Sequence, residues 1–127
     1  MDADAYRLAV ARDMSEAVFQ GKVIDLARGL GWKHYHPPRN KPDPKDRRIR
    51  NVVSGWPDLV LVHREQARIL FRELKRQREK PREDQEEWLE LLRIACHADE
   101  AADVWRPLDL LEGRIERDLT RPRIHAL

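Results

Sequence analysis

The chain has 127 residues, which is enough for one domain and too few for two full hydrophobic cores. Charged residues make up 38% and apolar residues 41%, so a small packed core is expected and a wholly disordered chain is excluded. The single cysteine, Cys96, excludes an internal disulfide, and the lack of a long apolar run or a basic, apolar leader predicts a cytoplasmic protein with no membrane segment.

The first half of the chain predicts one helix and one strand. Residues 1–14 are polar and are interpreted as an N-terminal extension. A helix is expected from Ser15, a residue type that caps helix starts, to the glycines at 29 and 31. Its apolar stripe follows the helical period and consists of Phe19, Val23, Leu26, Ala27 and Leu30. Residues 32–36 predict a short strand, and residues 37–56 predict a long, proline-rich loop.

The second half predicts a hairpin followed by alternating helices and a strand. Residues 58–63 and 68–75 are apolar strands that we expect to pair antiparallel. Residues 82–96 predict a helix whose apolar face is Trp88, Leu89, Leu92 and Ala95. Residues 103–105 predict a late strand, and Pro107 opens a final helix that ends near Arg117.

The order of these elements is α-β-β-β-α-β-α. This order predicts the α/β class, with a small mixed β-sheet flanked by helices. We expect residues 15–117 to form the domain and residues 118–127 to form a C-terminal tail.

Two basic runs stand out in a chain whose net charge is only +2. Residues 39–50 and residues 72–82 each carry net +4, which leaves −6 for the remainder. Lysine and arginine in a single run often do no more than solvate a loop. Two runs that flank one chemical motif instead indicate a polyanionic partner such as DNA, bound through its backbone. The candidate contacts are Arg47, Arg48, Arg50, Arg76 and Arg78.

Acidic and basic residues meet at one end of the predicted hairpin. Asp58 opens the first strand, and Glu73 and Lys75 end the second. Because side chains alternate along a strand, Glu73 and Lys75 lie on one face and Leu74 lies on the other. Paired carboxylates suit Mg²⁺ or Mn²⁺, and the Leu74 carbonyl is a candidate further oxygen ligand. A lysine beside the ion can orient a water molecule and offset charge on a phosphate, so metal-assisted phosphodiester hydrolysis is favoured.

Other polar residues carry weaker signals. Glu16 and Gln85 lie on the inward faces of their helices, although each alone is better explained as a polar residue in a first turn. His34 and His36 form an H-x-H pair, but zinc needs three or four ligands, so we do not expect a zinc site. His36 is more plausible as a phosphate contact. Cys96 is expected to be a small core residue.

The motifs stand in a fixed order along the chain. They are Glu16 with Phe19-Gln20, Gly31-Trp32, Gly55-Trp56-Pro57-Asp58-Leu59, Glu73-Leu74-Lys75, and Gln85 with Trp88-Leu89. Together they resemble the VRR-NUC domain of the virus-type replication–repair nucleases, a branch of the PD-(D/E)xK superfamily. The resemblance implies a restriction-endonuclease-like core and a Mg²⁺- or Mn²⁺-dependent DNA endonuclease.

The resemblance also implies roles for individual residues. Glu16, Asp58 and Glu73 would hold the metal, Lys75 would position water or phosphate, and Gln85 would support them. It further implies branched, flapped or four-way DNA as substrate, a phage or mobile-element origin with the cytoplasm of a bacterial host as location, and a homodimer. Two alternatives stay open at this point. One is a non-catalytic nucleic-acid-binding protein that keeps the fold, and the other is an interaction protein of a phage assembly.

Overall fold

The computed structural model describes residues 2–38 and 53–121. In chain order the elements are α1 (Ala3–Asp13), α2 (Glu16–Gly29), β1 (Lys33–Tyr35), β2 (Leu59–His63), β3 (Arg68–Leu74), α3 (Glu83–Cys96), a 3₁₀ turn (Asp99–Ala101), β4 (Ala102–Trp105), α4 (Pro107–Leu111) and α5 (Arg114–Thr120). The α/β class is therefore confirmed. Within the described ranges, no helix has the length and apolar character needed to span a bilayer.

The four strands form one mixed sheet in the order β1-β2-β3-β4. β1 and β2 pair antiparallel, and β2 and β3 form the predicted antiparallel hairpin, with Leu59 opposite Arg72 and His63 opposite Arg68. β3 and β4 are parallel, because the chain crosses over through α3 between them. β3 is therefore an inner strand with a partner on each side.

One face of the sheet carries the main hydrophobic core. Leu59, Leu61, Leu70, Leu74 and Trp105 pack there against the buried stripe of α2 and against α5. The helix residues in this core are Phe19, Val23, Ala27, Ile115 and Leu119. Alternate side chains of β2 and β3 share this face because the side-chain period of a strand is two.

The opposite face is covered by α3. Phe71, Ala102 and Leu89 form a smaller buried cluster there, with Trp56 packed beside it. The Trp56 ring meets Phe71 edge-on at 5.7 Å between centroids and Trp88 at 5.0 Å. Since Glu73 alternates with Arg72 along β3, the Glu73 side chain lies on this α3 face.

Several helix ends follow from local sequence. The Ser15 side chain accepts a hydrogen bond from the Val18 amide at 3.2 Å and caps α2, as predicted. Gly31 takes a φ of 91°, which turns the chain out of α2 into β1. Gly113, with a φ of 81°, divides the final helix, so the prediction of one continuous helix from Pro107 to about Arg117 is wrong.

One buried cation interrupts the main core. Arg72 is 2% exposed, and its guanidinium lies over the Trp105 ring at 4.8 Å. It donates hydrogen bonds to the carbonyls of Phe71 (3.0 Å) and Glu100 (2.9 Å). Burial lowers the pKa of Arg72 to about 10, and nearby Asp103 opposes this shift. Arg72 is therefore held by backbone carbonyls and an aromatic face inside the protein.

Two further sequence expectations need comment. α3 buries Leu89 against the sheet, as predicted, but its Ala95 side chain is exposed. The prediction that Ala95 belongs to the apolar face of this helix is therefore wrong. Residues at both ends of the chain contribute to the core, since Ala11, Met14 and Leu119 are buried. The division into an extension, a domain and a tail stays a prediction, although the described parts of both flanking segments contribute these buried residues.

Candidate active site

The β2–β3 hairpin brings three of the predicted site residues together. Continued by one residue, the register that pairs Leu59 with Arg72 places Asp58 opposite Glu73. Asp58 Oδ2 accepts a hydrogen bond from the Leu74 amide at 2.9 Å. Lys75 Nζ lies 3.8 Å from Glu73 Oε1, and the Glu73 and Lys75 residues are only 1% and 9% exposed. Two carboxyl groups and one ammonium group therefore meet at one end of the sheet.

Gln85 joins this group from the first turn of α3. Its Nε2 donates to Glu73 Oε1 at 3.1 Å, while its Oε1 accepts from the Arg82 amide at 2.8 Å. Because the Arg82 amide requires an acceptor, the Gln85 oxygen is committed to it and the amide nitrogen must face Glu73. Gln85 therefore fixes the orientation of the Glu73 carboxyl.

The electrostatics of Glu73 are unusual. Burial, together with the neighbouring Asp58 carboxyl, raises the pKa of Glu73 to about 9, and Lys75 and Arg82 offset part of this increase. The Asp58 carboxyl opposite Glu73 therefore favours the protonated form of Glu73. Glu73 Oε2 is buried and has no hydrogen-bond partner among the residues of the two described ranges. A buried carboxylate oxygen without a donor is costly, so this position calls for a proton or a cation.

The donor set is suited to a hard divalent cation. Asp58 and Glu73 supply carboxylate oxygens, and Mg²⁺ commonly binds one or two carboxylates while it keeps several waters. No group of three or more His, Cys, Asp and Glu side chains placed to hold a metal occurs in the described part of the chain. A cation at this position would therefore draw its other ligands from water, substrate or backbone, for which the Leu74 carbonyl stays a prediction.

The structure does not place Glu16 in one metal-binding group with Asp58 and Glu73 among the described residues. Glu16 is the first residue of α2, it is half-buried, and it forms no three-acid metal group with Asp58 and Glu73 within the described residues. As an acid in the first turn it also interacts favourably with the helix dipole. A role for Glu16 as a metal ligand stays a prediction.

Three contacts, one at Asp58 and two at Ser54 in the turn before it, were not foreseen from the sequence. His36 Nδ1 bonds the Asp58 carbonyl at 2.8 Å, and because a carbonyl only accepts, Nδ1 carries the hydrogen. Ser54 Oγ donates to Asp84 Oδ2 at 2.6 Å, and Trp88 Nε1 donates to the Ser54 carbonyl at 3.1 Å. The glycine before Trp56-Pro57 was the available signal for a turn here, but nothing local indicated its partner on α3.

Of the arginines predicted to contact DNA, only Arg76 and Arg78 lie within the described residues. Arg76 and Arg78 are exposed in the segment that follows β3, next to Lys75 in sequence. Arg106 Nη2 donates to the Glu79 carbonyl at 2.9 Å and ties this segment to the start of α4. Arg47, Arg48 and Arg50, also predicted to contact DNA, lie outside the described residues.

Comparison with known proteins identifies the family. The VRR-NUC domain family matches residues 27–102, which is more than half of the chain. The chain belongs to the VRR-NUC family. The match includes Asp58, Glu73, Lys75 and Gln85, whereas Glu16 precedes it. No curated protein and no solved structure matches the chain. VRR-NUC membership gives a nuclease-type function with DNA as substrate.

Proposed function

We propose that this VRR-NUC protein is a Mg²⁺- or Mn²⁺-dependent DNA endonuclease that hydrolyses phosphodiester bonds. The observation that carries the proposal is the buried Glu73 carboxyl beside Asp58, with one oxygen that no donor in the described ranges reaches. A stabilising role alone would be better served by apolar residues at this position, because Lys75 and Arg82 offset only part of the effect of burying the Glu73 carboxyl. A cation between the carboxylates would compensate their charge.

Asp58 and Glu73 are the residues that would hold the cation, and Leu74 and Glu16 are proposed further ligands. When bound, a divalent ion polarises the phosphoryl group and lowers the pKa of an attacking water. Both carboxyl groups are already fixed by protein donors, Asp58 by the Leu74 amide and Glu73 by Gln85. This leaves little reorganisation to be made at the time of reaction.

Lys75 and the exposed arginines act on the substrate in this proposal. The Lys75 ammonium lies beside Glu73 and is positioned to orient water or to offset the negative charge that develops on a phosphate. Arg76 and Arg78 extend from the adjoining segment and would contact backbone phosphates, together with the predicted contacts Arg47, Arg48 and Arg50. Gln85 is proposed as a supporting residue because it touches Glu73.

The family resemblance adds finer proposals about the substrate and the assembly. We propose a preference for branched, flapped or four-way DNA, and a two-fold homodimer that would place two sites on one junction. We also propose a role in phage or mobile-element replication or repair inside a bacterial host.

Cleavage assays on labelled DNA test the proposal. Linear, flapped and four-way DNA are incubated with the protein in Mg²⁺, in Mn²⁺ or in EDTA. We expect metal-dependent cuts that are lost in Asp58→Asn, Glu73→Gln and Lys75→Ala, with DNA binding largely retained. Lys22→Ala and Glu116→Gln are the matched controls. Each makes the same kind of charge change at an exposed helix position and should keep activity. Near wild-type cleavage by any of the three site variants would refute the assignment of that residue. Binding without cleavage in either metal would instead favour a non-catalytic nucleic-acid-binding protein.

A further inference from the structure

The turn that precedes Asp58 is docked on the first turn of α3. Ser54 Oγ donates to Asp84 Oδ2 at 2.6 Å, and Trp88 Nε1 donates to the Ser54 carbonyl at 3.1 Å. The Ser54 hydroxyl is also the largest cause of a lowered pKa at Asp84, which keeps this carboxyl ionised. Two hydrogen bonds therefore join the turn to the helix, and both involve residues near the protein surface.

Gly55 permits this docking to be close. It has a φ of 83°, and a Cβ at this position would lie 2.7 Å from the backbone carbon and oxygen of Asp84. Contacts this short do not occur for real Cβ atoms, so any other residue would push the turn away from α3. The close approach of the turn to the helix therefore requires a glycine at position 55.

The same turn of α3 is also hydrogen-bonded to Glu73, through Gln85. Asp84 Oδ1 accepts from the Gln85 amide at 3.0 Å and from Arg82 Nε at 3.2 Å. Gln85 in turn donates to Glu73 Oε1. One turn of α3 therefore touches both halves of the candidate site, Glu73 through Gln85 and Asp58 through the 54–57 segment.

Asp58 depends on this support more than Glu73 does. Glu73 lies inside β3 and is paired with Val104 of β4, whereas Asp58 lies one residue before the first paired residue of β2. The register of the sheet therefore fixes the Glu73 backbone, whereas the Asp58 backbone is held by the His36 hydrogen bond to its carbonyl and by the chain that leads into the strand.

We propose that Ser54 and Asp84 are positioning residues that hold the Asp58 carboxylate in place opposite Glu73. This inference rests on the proposed function, in which these two carboxylates bind the cation. Neither Ser54 nor Asp84 needs to touch the substrate. Their effect passes through the 54–57 segment, which they tie to the same helix that carries Gln85.

The Leu74 amide provides a direct measurement that needs neither metal nor DNA. Its hydrogen bond goes to Asp58 Oδ2, so its hydrogen-exchange rate reports the position of the Asp58 side chain. In Ser54→Ala and in Asp84→Ala we expect the Leu74 amide to exchange at least about tenfold faster, while the Leu61 amide in the centre of the sheet keeps its wild-type rate. Ser54→Thr, which retains the hydroxyl, should restore slow exchange at Leu74.

Two further variants make the test specific. Glu86→Ala removes an exposed acid from the same helical turn and should leave the Leu74 rate unchanged. The double variant Ser54→Ala/Asp84→Ala should exchange no faster than Asp84→Ala alone, because Ser54→Ala removes only a bond that Asp84→Ala already removes. An unchanged Leu74 rate in Ser54→Ala overturns the inference, and so does an equal acceleration at Leu61, which would mean a general loss of stability.

The catalytic consequence is measured separately. With Mg²⁺ and DNA, Ser54→Ala should lower kcat by about tenfold or more with the KM for DNA unchanged, since a misplaced carboxylate slows the reaction without weakening backbone contacts. A wild-type kcat would also overturn the inference. If the wild-type protein itself does not cleave DNA, the proposed function fails, while the Leu74 exchange rates still decide whether Ser54 and Asp84 position Asp58.

Discussion

Replacing Glu73 by glutamine tests the burial of this carboxyl without changing its shape. The pKa of Glu73 is raised from 4.5 to about 9, first by burial and then by the neighbouring Asp58 carboxyl. The unfolded chain therefore loses the Glu73 proton near pH 4.5, whereas the folded chain keeps it until about pH 9. In this pH interval the unfolded state binds fewer protons than the folded state, so the free energy of unfolding falls as pH rises.

The magnitude follows from the difference between the two pKa values. The free energy of unfolding falls by about 1.4 kcal/mol for each pH unit, or by about 3 kcal/mol between pH 4.5 and pH 7. Glutamine cannot ionise, it can still accept the Gln85 hydrogen bond, and its amide can donate toward Asp58. We therefore expect Glu73→Gln to be more stable than wild type by about 3 kcal/mol at pH 7 and nearly equal to it at pH 4.5.

Urea unfolding in EDTA between pH 4.5 and pH 8 measures this difference. Glu116→Gln is the matched control, since Glu116 is exposed and the same substitution there should change stability by less than about 0.5 kcal/mol. A Glu73→Gln variant that is less stable than wild type at pH 7 would refute the reasoning. The reasoning would also be refuted if the difference in the free energy of unfolding between wild type and Glu73→Gln did not change with pH.

The same substitution also reports on the cation. If Mg²⁺ binds at Glu73 it must displace the proton, so stabilisation of the wild-type protein by millimolar Mg²⁺ should increase from pH 6 to pH 8. Glu73→Gln should show no such stabilisation at either pH. Equal stabilisation of both proteins by Mg²⁺ would place the ion elsewhere.

Three other variants have definite expected outcomes. Gly55→Ala should lower the free energy of unfolding by about 2 kcal/mol in urea titrations, because of the positive φ and the contact with the Asp84 backbone, and wild-type stability would contradict this close approach. Arg76→Ala combined with Arg78→Ala should weaken DNA binding and reduce the salt dependence of log K by about 2, and an unchanged slope would remove both residues from the interface. Arg72→Ala should cost about 3 kcal/mol in thermal or urea unfolding, because it leaves two carbonyls and a cavity in the core, and a loss below about 1 kcal/mol would show that the site collapses.

Much of the fold could be predicted because its signals are local. The hydroxyl of Ser15, the helical spacing of Phe19 and Val23, and the alternation of the two hairpin strands each act within a few residues. The turn between β2 and β3 then fixes their register, and the register places Asp58 opposite Glu73. The single helix predicted after Pro107 is wrong because Gly113 takes a positive φ and ends the first helical segment there.

The amino-acid sequence by itself determined the α/β order, the hairpin, and which acids and lysine share one end of the sheet, because strand alternation and turn length are properties of neighbouring residues. Only the tertiary structure decided that Glu73 is buried with an oxygen that no donor in residues 2–38 and 53–121 reaches, that Arg72 lies in the core, and that Ser54 bonds Asp84 thirty residues away. Burial and long-range hydrogen bonds depend on how helices pack against the sheet, and that packing is a sum over contacts between distant segments that no local pattern specifies.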